Sequence, residues 1–407
     1  MAVSVARELG RTQATSQILR LGTGRLPTVP PAEVLPIDPQ HPDHRLLARA
    51  GAVIRSGRLV AFPTETVYGL GANSFDDHAI ASLYEAKQRD ASDPLIVHLA
   101  ATNDLPRVAT DVPEALGHLT KRFWPGPLTI VARRHPNVPG RVSANRPTVA
   151  IRVPAHPVAR GLIEAAGVPV VAPSANRFMR SSATRASHVV ADLGDVIDLV
   201  LDGGPTEIGL ESTVVATDDD GTVRVLRPGA IPVETIIKAL RDAGIDVAVH
   251  VGHLHPFAST DGPLSPGLLE THYAPRARLI LVSGTPALSV EVMIQLLHDA
   301  VASGERPGLI MYEEDADAFF VSRMAREVAV ARVGSVARPE TIAHNLFASF
   351  RDLDAIGVTR ILARTIDAVT TTRGRAPLPG GIGLARAIDD RLIRAAGSRV
   401  VCPLAQR

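Results

Sequence analysis

Four polar islands hold most of the residues in this chain that could do chemistry. The first covers residues 63–98: P-T-E-T-V-Y-G-L-G-A, then Lys87 and Arg89, then D-P-L-I-V-H. Residues 143–152, 173–184 and 209–213 supply the other three. Thr64 and Thr66 are two apart, so an extended segment puts both hydroxyls on one side. Lys87 and Arg89 share that spacing, and a Lys/Arg pair suits phosphate. On a helix they would diverge by about 200°. Asp90 and the run Ser92-Asp93-Pro94 predict irregular or extended chain there, which lets the two cations converge.

Arg152 stands in V-A-I-R-V-P, a cation inside an apolar strand. A buried arginine needs a partner, and either a protein carboxylate or a substrate carboxylate would serve. Ser174-Ala175-Asn176 follows an apolar strand directly, and Ser181, Ser182 and Thr184 lead into a helix start, a favoured place for phosphate. Gly209-Leu210-Glu211-Ser212-Thr213 adds small residues with hydroxyls, and Arg227-Pro228-Gly229 adds another cation. Trp124-Pro125-Gly126-Pro127 reads as a rigid structural turn. His98, His188 and His272 lie in unrelated contexts, with no Ser/His/Asp arrangement and no metal-ligand spacing. Hydroxyls and cations without an evident covalent nucleophile suit phosphoryl or nucleotidyl transfer, where positioning and charge neutralisation do most of the work.

The elements that must position these residues form two sets. Residues 43–55 carry Leu46, Leu47, Ala50 and Ile54 on one helical face. A buried strand at 57–62 and a short helix near 77–84 bracket the first island. Strands are then predicted at 95–99, 128–132, 149–153, 169–172, 199–202, 212–216 and 223–227, with helices at 113–123, 158–166, 185–193 and 233–243. That alternation predicts an α/β domain with a mixed sheet. Residues 250–275 are dense in proline, glycine and histidine and read as a long ordered linker. Strands at 278–282, 308–311, 328–333 and 360–364, ending in an amphipathic helix at 383–396, predict a parallel three-layer second domain. The G-G-I-G of 380–383 precedes the last helix and is no nucleotide fingerprint.

A length of 407 residues favours two domains. With 45% hydrophobic and 21% charged residues the chain is globular. No apolar run reaches the roughly 18 residues of a membrane span. A single cysteine, Cys402, rules out an intrachain disulfide and a thiolate metal site. A cytoplasmic protein is expected, since no secretory segment is evident. The first 34 or so residues, with Arg7, Arg11, Arg20 and Arg25, have a transit-peptide flavour but read better as an arm outside the fold. Net charge is +1 and aromatics are 3%, so strong direct binding of nucleic acid is not expected. Three of the 43 basic residues are lysines, which makes Lys87 distinctive.

The motifs P-T-E-T-V-Y-G-L-G-A, K-x-R, F-W-P-G-P-L-T, R-V-P-A-H-P, A-P-S-A-N, G-L-E-S-T-V-V and L-R-P-G resemble the YrdC/Sua5 family in order and spacing. S-P-G-L-L-E-T-H-Y-A-P resembles the linker of the long Sua5 form, and G-L-A-R-A-I-D-D-R-L-I-R-A-A the end of its C-terminal domain. The resemblance spans about residues 35–402. It implies a YrdC-like twisted mixed sheet with helices over 35–249, an active-site linker over 250–275, and a smaller Rossmann-like parallel α/β domain over 276–407. It implies synthesis of L-threonylcarbamoyladenylate from L-threonine, bicarbonate and ATP, with release of pyrophosphate, feeding a transferase machinery that modifies tRNA. By the same resemblance Thr66, His98, Arg152, Ser174 and Ser212 hold threonine, Arg152 taking its carboxylate. Lys87, Arg89, Asp93, Thr148, Asn176, Thr184, Arg227 and Tyr273 serve ATP, with Tyr273 closing over it. Lys87, Arg89 and Mg²⁺ carried by ATP neutralise the leaving pyrophosphate.

This chain departs from the family pattern at Gln88, Asp90 and Asp93, which replace Gly, Pro and Asn. Asp93 is expected at the ribose, the base or Mg²⁺ and not at bare phosphate, or else to weaken ATP binding. Phe178-Met179 replaces Ser-Gly, Ala183 replaces Pro, and Leu269-Glu270-Thr271 replaces Lys-Tyr-Arg. Two other readings are a divergent paralogue acting on another amino acid and an RNA-binding YrdC-like module.

Overall fold

The computed structural model describes residues 31–252, 267, 271–321, 327–367 and 383–402. Most of the linker, including Leu269-Glu270, lies outside the described residues, as does most of the N-terminal arm. The first domain's strands are β1 (Glu33–Pro36), β2 (Val60–Phe62), β3 (Gly69–Asn73), β4 (Ile96–His98), β5 (Ala109–Asp111) and β6 (Leu128–Arg134). They continue with β7 (Thr148–Arg152), β8 (Val170–Val171), β9 (Leu199–Asp202), β10 (Thr213–Thr217), β11 (Val223–Arg227) and β12 (Val249–Val251). They form one mixed sheet in the order β1-β9-β2-β3-β8-β4-β7-β6-β10-β11-β12, with β5 alongside β6.

Six helices flank this sheet: α1 (His44–Arg55), α2 (Asp77–Lys87), α3 (Glu114–Phe123), α4 (Pro157–Ala166), α5 (Ala186–Leu193) and α6 (Val233–Asp242). Strand alternation divides the side chains between two faces. Ala61, Leu70, Val97, Ile130 and Ile151 join the main core with Ile80, Leu83, Leu116, Leu119, Val189 and Ile236 from the helices. On the other face, Val60, Phe62, Val170 and Leu199 meet Leu47 and Ile54 of α1 and Val158, Leu162 and Ile163 of α4. A third patch consists of strand residues alone: Ile96, Val131, Ala150, Val214, Ala216 and Leu226. His98, Arg152 and Ser212 are each two residues from a member of that patch and project from the same face. The functional side chains therefore rise from a stretch of sheet not given over to helix packing.

The second domain's strands β13 (Arg278–Val282), β14 (Pro307–Tyr312), β15 (Ala329–Gly334), β16 (Arg360–Arg364) and β17 (Val400–Val401) pair in parallel, in the order β15-β14-β16-β13-β17. Ile280, Val282, Leu309 and Leu362 face Val290, Met293 and Leu297 of α7 (Pro286–Ala302), while α8 (Ala316–Val321) adds Phe319. Leu279, Leu281, Ile310 and Ile361 face α9 (Pro339–Ala355) and α10 (Gly383–Ala396). These are the three layers expected. The same cluster takes in Val67 and Leu210 of the first domain, so the α9–α10 layer is packed on both sides. Gly209, with φ +81°, shows how close the docking is: a Cβ there would stand 2.5 Å from the Ala343 carbonyl oxygen.

Two local readings change. Lys87 is the last residue of α2, and the chain reverses through Gln88 in the left-handed region (φ 54°). Lys87 and Arg89 are thus brought together by a helix-ending turn, not by extended chain. The segment Gly69–Asn73, for which no strand is predicted from sequence, is strand β3, paired antiparallel with β2 and β8.

Candidate active site

The parallel register of β4 and β7 sets His98 directly beside Arg152 at the strands' C-terminal ends. Arg152 is buried and reaches three ways. Its Nε donates to the Gly126 carbonyl at 3.2 Å, and Nη1 donates to Thr66 Oγ1 at 2.9 Å. Nη2 lies 2.7 Å from Glu65 Oε1. The Trp-Pro-Gly-Pro turn thus positions Arg152, while Trp124 anchors the turn by donating its Nε1–H to the Leu128 carbonyl at 2.7 Å. Burial opposes ionisation of Glu65, yet the Arg152 guanidinium outweighs it and holds the carboxyl below its usual range. A protein carboxylate is therefore present beside Arg152, one of the two partners the sequence left open.

The hydroxyls have a fixed direction. Thr64 donates to the Val67 carbonyl at 2.6 Å, which uses its single proton. Thr66, 2.8 Å from Thr64, must then donate to it while accepting from Arg152. That leaves Thr66 with acceptor capacity toward a ligand. His98 Nδ1 lies 3.2 Å from the Ile96 carbonyl, so the proton sits on Nδ1 and Nε2 is an acceptor. Burial, with Arg152 adjacent, pushes its pKa down to about 3 and keeps the ring neutral.

Three further cations belong to the candidate site. Arg89 Nε and Nη2 donate to the carbonyls of Asp93 and Pro94 at 3.1 and 2.8 Å, and Nη2 is 2.7 Å from Asp93 Oδ2. Arg227 Nη2 donates to the Ser212 carbonyl at 3.0 Å and to Ser212 Oγ at 3.1 Å. Ser212 Oγ also lies 2.7 Å from Thr129 Oγ1. Lys87 Nζ donates to the Ser174 and Asn176 carbonyls, each at 2.5 Å. Burial and neighbouring Arg89 push its pKa well below the usual lysine range.

A cavity joins many of these residues. Thr66, His98, Arg152, Ser174 and Ser212 line it together with Arg89, Arg227 and Tyr273. The remaining expected residues, Lys87, Asp93, Thr148, Asn176 and Thr184, stand outside its lining. Lys87 braces the Ser174–Asn176 turn. Thr184 Oγ1 is 3.4 Å from His188 Nδ1. Asp93 is buried against Arg89, where burial raises its pKa against the pull of Arg89, Lys87 and Arg227. Among the described residues, buried Asn176 Oδ1, Thr148 Oγ1 and His272 Nδ1 have no hydrogen-bond partner. Both Asp93 carboxylate oxygens, for all their closeness to Arg89, also accept no aligned hydrogen bond. Of the residues just named His272 lines the cavity, so its Nδ1 is an unsatisfied buried atom placed to meet a polar ligand.

Tyr273 is 1% exposed and holds φ 64°. Its ring stacks at 5.6 Å on Phe347 of α9 and meets His272 edge-on at 4.0 Å. His272 lines the same cavity as His98, so these two histidines share one context after all. Sequence reasoning also passed over Glu211 and Arg391, which pair at 2.7 Å across 180 residues of chain. No local pattern carries such a pair. A carboxylate in a hydroxyl-bearing island and an arginine on a helix's buried face were the available hints.

No group of three or more metal-ligating side chains occurs among the described residues. No helix among them is long and apolar enough to cross a membrane. Residues 52–229 match a family model for Sua5, YciO and YrdC described as "Telomere recombination". Residues 231–397 match one described as "Threonylcarbamoyl-AMP synthase, C-terminal domain". The chain is 39% identical over 356 residues to the threonylcarbamoyl-AMP synthase of Bacillus subtilis, covering 87% of this chain and 94% of that one. It is similar to the crystal structure of Pyrococcus abyssi Sua5 complexed with L-threonine, with TM-score 0.76 and 35% identity over 92% of this chain and 100% of the other. A shorter relative, the threonylcarbamoyl-AMP synthase of Alkalilimnicola ehrlichii, is 34% identical over 184 residues, covering 44% of this chain and 93% of that one.

Proposed function

Because this chain belongs to the YrdC/Sua5 family in its long, two-domain form, we propose that its cavity is where L-threonine, bicarbonate and ATP become L-threonylcarbamoyladenylate and pyrophosphate. The chain is an enzyme of the threonylcarbamoyl-AMP synthase type. The observation that carries the reading is the cavity's mixed lining, which brings Arg152, neutral His98 and acceptor Thr66 together with Arg89, Arg227 and Tyr273.

Arg152 meets the threonine carboxylate with the donor capacity that Glu65, Thr66 and Gly126 leave to it. Thr66 Oγ1 and His98 Nε2 are acceptors, suited to the donors of an amino acid, its hydroxyl and amine. Ser174 and Ser212 complete the pocket around the side chain. The ammonium group of threonine first gives up a proton, and the free amine attacks the carbon of bicarbonate, forming a C–N bond and releasing water. A carbamate oxygen then attacks the α-phosphorus of ATP, and the bond to the β-phosphate oxygen breaks to release pyrophosphate. Arg89 and Arg227 face the developing charge, with Lys87 behind them and holding the Ser174–Asn176 turn. Asn176, Thr148 and Thr184, outside the cavity lining, are the further polar contacts for ATP in this reading. No side-chain nucleophile is needed.

The carboxylates Glu65 and Glu211 beside the cavity each face an arginine, so the residues fit a Mg²⁺ that arrives on the triphosphate and not one caged by the protein. Bound there, it supplies charge neutralisation of the phosphates. Residues 35–249 serve as the catalytic domain in this reading, 250–275 as the linker that brings Tyr273 over the nucleotide, and 276–407 as the second domain, with 1–34 an arm. The product passes, in the cytoplasm, to a transferase machinery that modifies tRNA.

The test is ATP-to-pyrophosphate turnover with each amino acid in turn, with bicarbonate present. Threonine is expected to be preferred by at least an order of magnitude. Preference for another amino acid would move the chain to a paralogous activity, a reading that Phe178, 5.7 Å from Arg89 at ring centroid, keeps specific.

A further inference from the structure

Helix α10 of the second domain reaches the cavity wall. Arg391 is fully buried, and its Nε donates to Glu211 Oε2 at 2.7 Å. Nη1 donates to Asp390 at 2.5 Å and Nη2 to the Pro228 carbonyl at 3.1 Å. Its guanidinium carbon lies 5.0 Å from the centroid of the Tyr273 ring. Glu211 and Tyr273 both line the cavity. The other Glu211 oxygen accepts from Ser182 Oγ at 2.5 Å. Asp390 is also held by Arg394 at 3.0 Å, and the Arg394 carbonyl accepts from the His272 N–H at 3.1 Å. One stretch of α10 therefore grips both the 272–273 segment and Glu211.

A carboxylate at the wall of a triphosphate site repels its ligand unless a cation answers it. Glu211 has such a cation in Arg391, and that cation comes from the second domain. The threonine end (Arg152, His98, Thr66) has no described contact with α10. The shorter relative, matched by 44% of this chain, shows that a chain of this family need not include the second domain, so its presence here calls for a role of its own.

Resting on the reaction proposed above, we propose that Arg391 is a positioning residue of the nucleotide site. It neutralises Glu211 and fixes the Tyr273 ring, and through it the second domain sets the affinity for ATP without touching threonine.

The test uses the full chain with Arg391→Met, Glu211→Gln and the double variant. KM for ATP and for threonine are measured, together with the thermal shift that ATP induces. Arg391→Met is expected to raise the ATP KM about tenfold or more, the scale of an uncompensated buried charge, and to leave the threonine KM within about twofold. The double variant removes the stranded carboxylate and is expected to return the ATP KM to within about threefold of wild type. An unchanged ATP KM in Arg391→Met, an equal rise in both KM values, or a double variant as impaired as the single would overturn the proposal. If Arg391→Met does not fold, the double variant decides alone: a soluble protein with near-wild-type ATP KM supports the role, and a tenfold rise refutes it. The ATP-induced thermal shift needs no turnover. A wild type that binds ATP but makes no threonylcarbamoyladenylate rejects the reaction, while loss of the shift in Arg391→Met still supports the positioning role and its persistence refutes it.

Discussion

Arg89 and Asp93 form a buried ion pair, 2.7 Å apart, at the edge of the cavity. The side chains are 3% and 1% exposed, so water does little to screen them. Arg89 faces the cavity, and Asp93 stands behind it, also within reach of the charges of Lys87 and Arg227. The carboxylate thus cancels part of the positive potential meant for phosphate. Asp93 does not itself line the cavity, and the contact the structure gives its side chain is this pairing with Arg89.

Asp93→Asn is expected to tighten ATP binding by about three- to tenfold. A full charge about 4 Å from a phosphate is worth about 4 kcal/mol at an effective dielectric of 20, and Arg89 already offsets most of it. Titration of ATP against both proteins checks this. Weaker binding by the asparagine variant would show that Asp93 is needed to aim Arg89.

Gln88 ends α2 with φ 54° and ψ 40°, a conformation that glycine adopts without a Cβ penalty. Gln88→Gly is expected to stabilise the protein by about 1 kcal/mol, because relief of left-handed strain exceeds glycine's greater entropy loss. Thermal unfolding reads the change, and a lower midpoint would contradict it.

His188 is buried against Thr184, and burial, reinforced by Arg351 and Arg185, pushes its pKa down to about 3. The folded state therefore binds fewer protons than the unfolded state between about pH 6.5 and 3. Stability from this group is present above pH 6.5 and lost as pH falls through that window. His98 acts in the same direction. His188→Gln is expected to flatten the acid limb of a plot of unfolding midpoint against pH. An unchanged limb would mean that His188 is protonated in the fold.

Much of the architecture was legible because periodicity and burial agreed. Leu199–Asp202, Val223–Arg227, Arg278–Val282 and Arg360–Arg364 are strands with the bounds their sequences suggest. Gly69–Asn73 is not legible as a strand because two glycines in G-L-G-A-N mask its alternation, and pairing with β2 and β8 makes it one. Glu33–Pro36 straddles the end of the arm: four residues, mostly exposed, whose strand identity comes from β9. In the site, Thr66, His98, Arg152, Ser174, Ser212, Arg89, Arg227 and Tyr273 reached one cavity as the motifs suggested. Glu65 as the partner of Arg152, and Arg391 as the partner of Glu211, depend on tertiary contacts that spacing does not encode.

The buried position of Arg152 makes it the most direct probe of the proposed reaction. The decisive measurement is bicarbonate-dependent formation of threonylcarbamoyladenylate by the wild type and by Arg152→Ala, with folding of both checked by thermal unfolding. The wild type is expected to form the adenylate only when threonine, bicarbonate and ATP are all present. Arg152→Ala is expected to lose about two orders of magnitude in kcat/KM for threonine, the scale of a removed charge-assisted contact. A folded Arg152→Ala protein with undiminished kcat/KM for threonine, or a wild type whose product forms without bicarbonate, would contradict it.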